Sequence, residues 1–113
     1  MHEMALCQAL VQIVVDAARR EGAARVAVVR VELGALSHAE PEALAFCFPA
    51  ASRGTIAEGA RLELLRVPGE AWCMTCVKPV PLASRYDPCP HCGGHRLRVT
   101  AGEEMRVRDM EVV

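Results

Sequence analysis

The chain has 113 residues, about the size of one small domain, with 52% apolar and 24% charged residues, a composition that folds rather than stays disordered. Thirteen Lys and Arg against fourteen Asp and Glu give a formal charge of −1, so there is no net basic field to hold a polyphosphate backbone. No apolar run approaches the roughly 20 residues that cross a bilayer, and Met1-His2-Glu3 lacks a secretory signal's basic start and apolar middle, so a cytoplasmic protein is expected.

From Glu3 to about Glu21, Leu6, Leu10, Ile13 and Ala17 recur at helical spacing beside a second stripe of Cys7, Val11, Val14 and Ala18. Gly22, preceded by Arg19 and Arg20, marks the helix's end. Arg25 to Leu33 alternates as a strand, with Ala27, Val29, Val31 and Leu33 on one face and Arg30 and Glu32 on the other. A second helix starts between Ser37 and Pro41. Ser37-His38-Ala39-Glu40 has the form of a capping box, whereas Pro41 favours Glu40 as the cap. Leu44, Cys47, Phe48 and Ala51 continue that helix, and Pro49 is expected to bend or shorten it. Arg61 to Val67 reads as a second strand, closed by a Pro68-Gly69 turn. Met105 to Val112 reads as a third, with a phase slip that suggests a bulge near Asp109.

Residues 70–99 stand apart. They hold four of the six Cys, four of the seven Pro and the only Trp and Tyr, with no helical periodicity. Six Cys in a reducing compartment read as thiolate chemistry rather than a disulfide framework. Cys73-Met74-Thr75-Cys76 and Cys89-Pro90-His91-Cys92 are two C-x-x-C pairs, and each tight turn can present two sulfurs to one ion. A segment this short cannot bury enough apolar surface to fold alone, so a bound metal supplies the stabilisation. Ligand type and closure of the shell favour zinc over an iron centre of the same geometry, and four Cys leave no open position for catalysis. A core of about eighty residues interrupted by a metal-held ribbon is therefore expected, with residues 1–69 and 100–113 in one domain and 70–99 in the other.

The N-terminus offers a second donor set. The Met1 amine, the His2 backbone nitrogen and the His2 imidazole can close two adjacent chelate rings on one ion, and Glu3 adds a carboxylate. Nitrogen donors in a tetragonal array suit Ni(II) or Cu(II). Alone, such a start is usually no more than an exposed terminus. Joined to Glu32-Leu33-Gly34-Ala35-Leu36-Ser37, Pro41-Glu42-Ala43-Leu44, Glu58-Gly59-Ala60 and Cys89-Pro90-His91-Cys92-Gly93, in that order along the whole chain, it closely resembles the HypA/HybF family of hydrogenase nickel-incorporation proteins.

The resemblance implies an α+β protein, a small mixed sheet of about three strands with two helices, plus an inserted zinc-ribbon domain. It implies a nickel metallochaperone rather than an enzyme, with Met1, His2 and Glu3 holding Ni(II) as transient cargo and Cys73, Cys76, Cys89 and Cys92 holding structural Zn(II). The implied partners are a maturation GTPase of the HypB type, the [NiFe]-hydrogenase large subunit or its maturation complex, and in some settings urease maturation factors. Neither nucleic acid nor membrane is implied. Two departures concern local geometry: Pro49 interrupts the second helix, and Val77 stands where a Gly would ease the knuckle turn.

Among the remaining residues, Cys7, Cys47, Met4, Met105 and Met110 read as packing residues, and His38 as a solvated turn residue. His91 and His95 are either exposed loop imidazoles or conditional ligands of one of the metals. The competing function is a zinc-ribbon adaptor for nucleic acid or a polymerase-like partner. Near-neutral charge and few aromatics for stacking weigh against it. An enzyme ranks third, since no nucleophile-base pair or phosphate loop is legible.

Overall fold

The computed structural model describes residues 2–113. In chain order it has helix α1 (His2–Arg20), strand β1 (Val26–Gly34), helix α2 (Pro41–Ser52) and strands β2 (Arg61–Val67), β3 (Gly69–Cys73), β4 (Lys78–Leu82), β5 (Leu97–Ala101) and β6 (Met105–Val112). The strands form two three-stranded sheets, β2-β1-β6 and β4-β3-β5. The chain divides into two compact units. One takes in the chain up to Val31, Ala39–Leu65 and Arg106–Val113, and the other Glu32–His38 and Arg66–Met105.

The first unit is α+β. Helix α1 buries Cys7, Leu10, Val11, Val14, Val15 and Ala18. The core therefore takes the whole second stripe, Cys7, Val11, Val14 and Ala18, together with Leu10 of the first, whereas Ile13 of the first stripe is 57% exposed. The 3.6-residue period centres the buried arc on Cys7, Val11, Val14 and Ala18, which carries Ile13 to the rim. At the helix end Gly22 has φ +72°. The Ala23 amide donates to Ala18 O (3.0 Å) and the Gly22 amide to Arg19 O (2.9 Å), the paired bonds of a Schellman stop. Helix α1 packs on α2, where Leu44 and Phe48 are buried and the Cys7 thiol donates to Leu44 O (3.4 Å). Burial pushes the Cys7 thiol up to about 11, which suits a packing residue.

Of the two possible starts for α2, the structure selects Glu40 as the N-cap with Pro41 in the first turn. Pro49 does not end the helix, which runs to Ser52. Pro49 lies on the exposed side, and the Ser52 hydroxyl donates to Pro49 O (3.2 Å). Central strand β1 is buried nearly throughout, and its half-buried Arg30 reaches both neighbours. Arg30 donates through Nε to Glu63 (3.0 Å), through Nη1 to Asp109 (3.0 Å) and through Nη2 to Glu111. The polar residue expected on the outer face of this strand is thus the hub of a cross-strand ion ladder.

The second unit is a β structure that helical or alternating periodicity could not disclose. Strand β3 pairs antiparallel with β4 and β5, and a register shift falls between Glu70 and Ala71. The chain does not turn at Pro68-Gly69. It leaves β2 and enters β3 directly, because Gly69 lies in close backbone contact: a Cβ there would sit 2.3 Å from Leu82 O. At Gly34 a Cβ would lie 2.0 Å from Gly102 O, so any side chain is excluded. The unit's buried cluster is small: Leu36, Ala71, Cys73, Val80, Leu82 and Cys89, with Cys76, Leu97 and Val99 packed against it.

Candidate metal centre

The two C-x-x-C pairs meet. The four Sγ atoms of Cys73, Cys76, Cys89 and Cys92 all lie within 4.8 Å of one another. Cys73 Sγ is 3.7 Å from Cys92 Sγ, and Cys76 Sγ is 3.9 Å from Cys89 Sγ. A tetrahedral ion with metal–sulfur distances of about 2.3 Å requires sulfurs about 3.8 Å apart, so the cluster fits an S₄ zinc shell. A disulfide would need sulfurs about 2.05 Å apart, and all six cysteines are free.

Each pair is shaped by the same turn. The Cys76 amide donates to Cys73 Sγ (3.3 Å) and the Val77 amide to Cys73 O (2.8 Å). In the second knuckle, the His91 amide donates to Cys89 Sγ (3.4 Å) and the Gly93 amide to Cys89 O (2.9 Å). Amide donors favour the thiolate, and those of Cys92 and His91 hold the Cys89 thiol down to about 6. Desolvation and the surrounding sulfurs push Cys76 up to about 12. Four sulfurs this close cannot all ionise without a cation, and a coordinated divalent metal deprotonates its thiols outright. Backbone geometry thus prepares one thiolate, and a metal held there would stabilise the other three.

The residue after each pair has positive φ: Val77 +54° and Gly93 +74°. A β-branched residue in this region is strained, and Val77 is 67% exposed, so little packing offsets the strain. At Gly93 an added Cβ would touch nothing within 4 Å, which makes the preference there purely conformational. Val77→Gly is expected to stabilise the metal-loaded protein by about 1 kcal/mol and Gly93→Val to destabilise it by about 1–2 kcal/mol, read from urea unfolding. Equal stabilities for the three proteins would refute the strain.

Neither His91 nor His95 belongs to a metal-competent cluster among the described residues, and both are exposed. His38 is exposed, and Cys7 and Cys47 lie apart from the sulfur cluster as buried and half-buried helix residues.

At the other candidate site the expected Met1 amine lies outside the described residues. His2 opens α1 with its imidazole Nε2 3.3 Å from Glu3 Oε2, and the two side chains are 56% and 12% exposed. The same Glu3 oxygen accepts from the Glu40 amide (3.4 Å), the N-cap of α2, which has no side-chain cap of its own. In a capping box a Glu within the helix bonds the N-cap amide; here Glu3 does so from another helix. Its carboxyl is held below the ordinary range, first by its own backbone amide and then by that of Glu40, against the desolvation that raises it. No sequence spacing could have disclosed this, since the two residues lie 37 positions apart. No described helix is long and apolar enough to cross a membrane.

A family model described as hydrogenase/urease nickel incorporation, metallochaperone, hypA, matches residues 1–112. The hydrogenase maturation factor HypA of Rhodopseudomonas palustris strain BisA53 is 56% identical over 112 residues, covering 99% of each chain. Hydrogenase maturation factor HypA 2 of Bradyrhizobium diazoefficiens is 58% identical over 112 residues, again 99% of each. Among solved structures, that of the Ni metallochaperone HypA from Helicobacter pylori superposes with a TM-score of 0.71 at 20% identity, over 98% of this chain and 97% of that one. At that identity the likeness concerns the fold.

Proposed function

The chain belongs to the HypA family of hydrogenase and urease nickel-incorporation metallochaperones, and from that premise we propose that it carries Ni(II) on its Met1-His2-Glu3 terminus and delivers it during [NiFe]-hydrogenase maturation. The family is one of maturation factors, not enzymes. The observation that carries the reading is the whole-chain match beginning at residue 1, which includes the Met-His-Glu start. The donors are the Met1 amine, the His2 amide nitrogen, the His2 imidazole and the Glu3 carboxylate. The four-cysteine cluster holds zinc as a structural ion, because a closed thiolate shell has no exchangeable position.

Physical chemistry supports a releasable nickel site. The first four amides of a helix have no intrahelical acceptor, so the His2 nitrogen can be recruited without breaking the ladder of α1. The positive end of the helix dipole opposes a cation there, and Glu3 together with deprotonated nitrogen offsets it, which tempers affinity. Few ligands on one terminus can also be replaced stepwise by those of an acceptor. Binding should strengthen with rising pH, because amine, amide and imidazole must all lose protons.

The acceptor side of this proposal comprises a HypB-type GTPase and the hydrogenase large subunit or its maturation complex, in the cytoplasm, with no role for nucleic acid or membrane. Urease maturation factors are a second destination, since the family description names both enzymes. In a host lacking this chain, hydrogenase activity at trace nickel should be lost, restored by the wild type, and not restored by His2→Ala. Full restoration by His2→Ala would sink the assignment.

A further inference from the structure

We propose that the outward face of α2 is a self-association surface on which a second copy of this chain docks its own α2 in antiparallel orientation. Helix α2 carries no charge between Glu42 and Arg53. Ala45, Phe46, Pro49 and Ala50 are exposed on it, and Phe46 is the most exposed large apolar residue among those described, at 85%. A helix apolar on its outer as well as its inner side is ordinarily covered on both.

The arrangement of the face specifies what covers it. Glu42, Phe46, Pro49 and Arg53 are spaced i, i+4, i+7 and i+11, a single stripe that begins with an anion and ends with a cation. A two-fold axis through the midpoint of that stripe, between Cys47 and Phe48, sets Glu42 of each copy against Arg53 of the other. It also sets Phe46 against Pro49 and Ala45 against Ala50. The pattern is self-complementary, as a two-fold interface requires, and the small alanines allow close approach around the aromatic ring. Parallel docking would instead oppose like charges. Among the described residues, neither the Glu42 nor the Arg53 side chain is engaged in an ion pair, so both are available to the second copy.

One stripe about 16 Å long covers less than the roughly 800 Å² per partner of a standard interface, so the association is weak, with a dissociation constant of about 10–1000 μM. The test is sedimentation equilibrium of the full, zinc-loaded chain across that range, without nickel. Phe46→Ser, Glu42→Arg and Arg53→Glu should each weaken association about tenfold or more. An equimolar mixture of the two charge-reversal variants should recover it, because each supplies the charge the other needs, and recovery also shows both to be folded. Isotope-filtered nuclear Overhauser effects should connect the Phe46 ring of one copy with Pro49 of the other. A chain monomeric throughout the range, self-association indifferent to these substitutions, or a mixture that fails to recover would each overturn the proposal.

Discussion

Cys73→Ser should unfold the β4-β3-β5 unit while α1 and α2 keep their helical signal. Of the six residues in that unit's buried cluster, Cys73 and Cys89 are proposed ligands and only Leu36, Ala71, Val80 and Leu82 are independent of the metal, while a third proposed ligand, Cys76, packs against the cluster. So small a core does not hold a β structure, whereas structural zinc contributes about 10–16 kcal/mol of apparent binding energy in zinc-finger peptides. The substituted site would also retain three crowded sulfurs, with Cys89 already biased towards thiolate. Amide spectra report the outcome. Signals of Ala71, Val80 and Val99 should collapse to unfolded positions in the variant and after chelation of the wild type, with those of Val14 and Leu44 still dispersed. A chelated protein that kept the β3, β4 and β5 signals dispersed would show the metal to be dispensable for the fold.

His2→Ala should lower nickel affinity by more than about 100-fold, beyond the 10–100-fold typical of losing a ligand's supporting neighbour. The substitution removes the imidazole and with it one of the two chelate rings. The helix should survive, since His2 is its first residue and its side chain is 56% exposed. Glu3→Ala should behave differently. It removes a proposed ligand and also the acceptor for the Glu40 amide, so weaker nickel binding should be accompanied by fraying at the start of α2. Comparing the two variants by titration calorimetry and by amide exchange at Leu44, whose amide makes the first intrahelical bond of α2 to Glu40 O, and at the following Ala45 separates the roles. Equal exchange in both would deny Glu3 its part in capping α2.

How much of this was legible in the sequence depends on the range of the signal. The apolar periods of α1, β1 and α2 and the spacing of the cysteine pairs are local, and they located those elements and the sulfur cluster correctly. Residues 70–99 were legible only as a metal-held insert, because Pro79 and Pro81 erase the strand pattern of β4. They are tolerated there because β4 is an edge strand of its sheet. Pro49 did not fix the helix's end: it lies on the exposed side, and α2 continues past it to Ser52. The Gly34–Gly102 approach, the Arg30 ladder and the Glu3–Glu40 bond join residues far apart in the chain, and only the fold discloses them.

The most direct measurement is a Ni(II) titration of the zinc-loaded chain against a form bearing one additional residue before Met1, with mass spectrometry to verify that Met1 keeps a free amine in the unextended protein. The extension preserves His2 and Glu3 but moves the amine out of its chelate position, so nickel binding should be lost or severely weakened while the fold and the zinc content stay unchanged. Undiminished nickel binding by the extended form would contradict the N-terminal site.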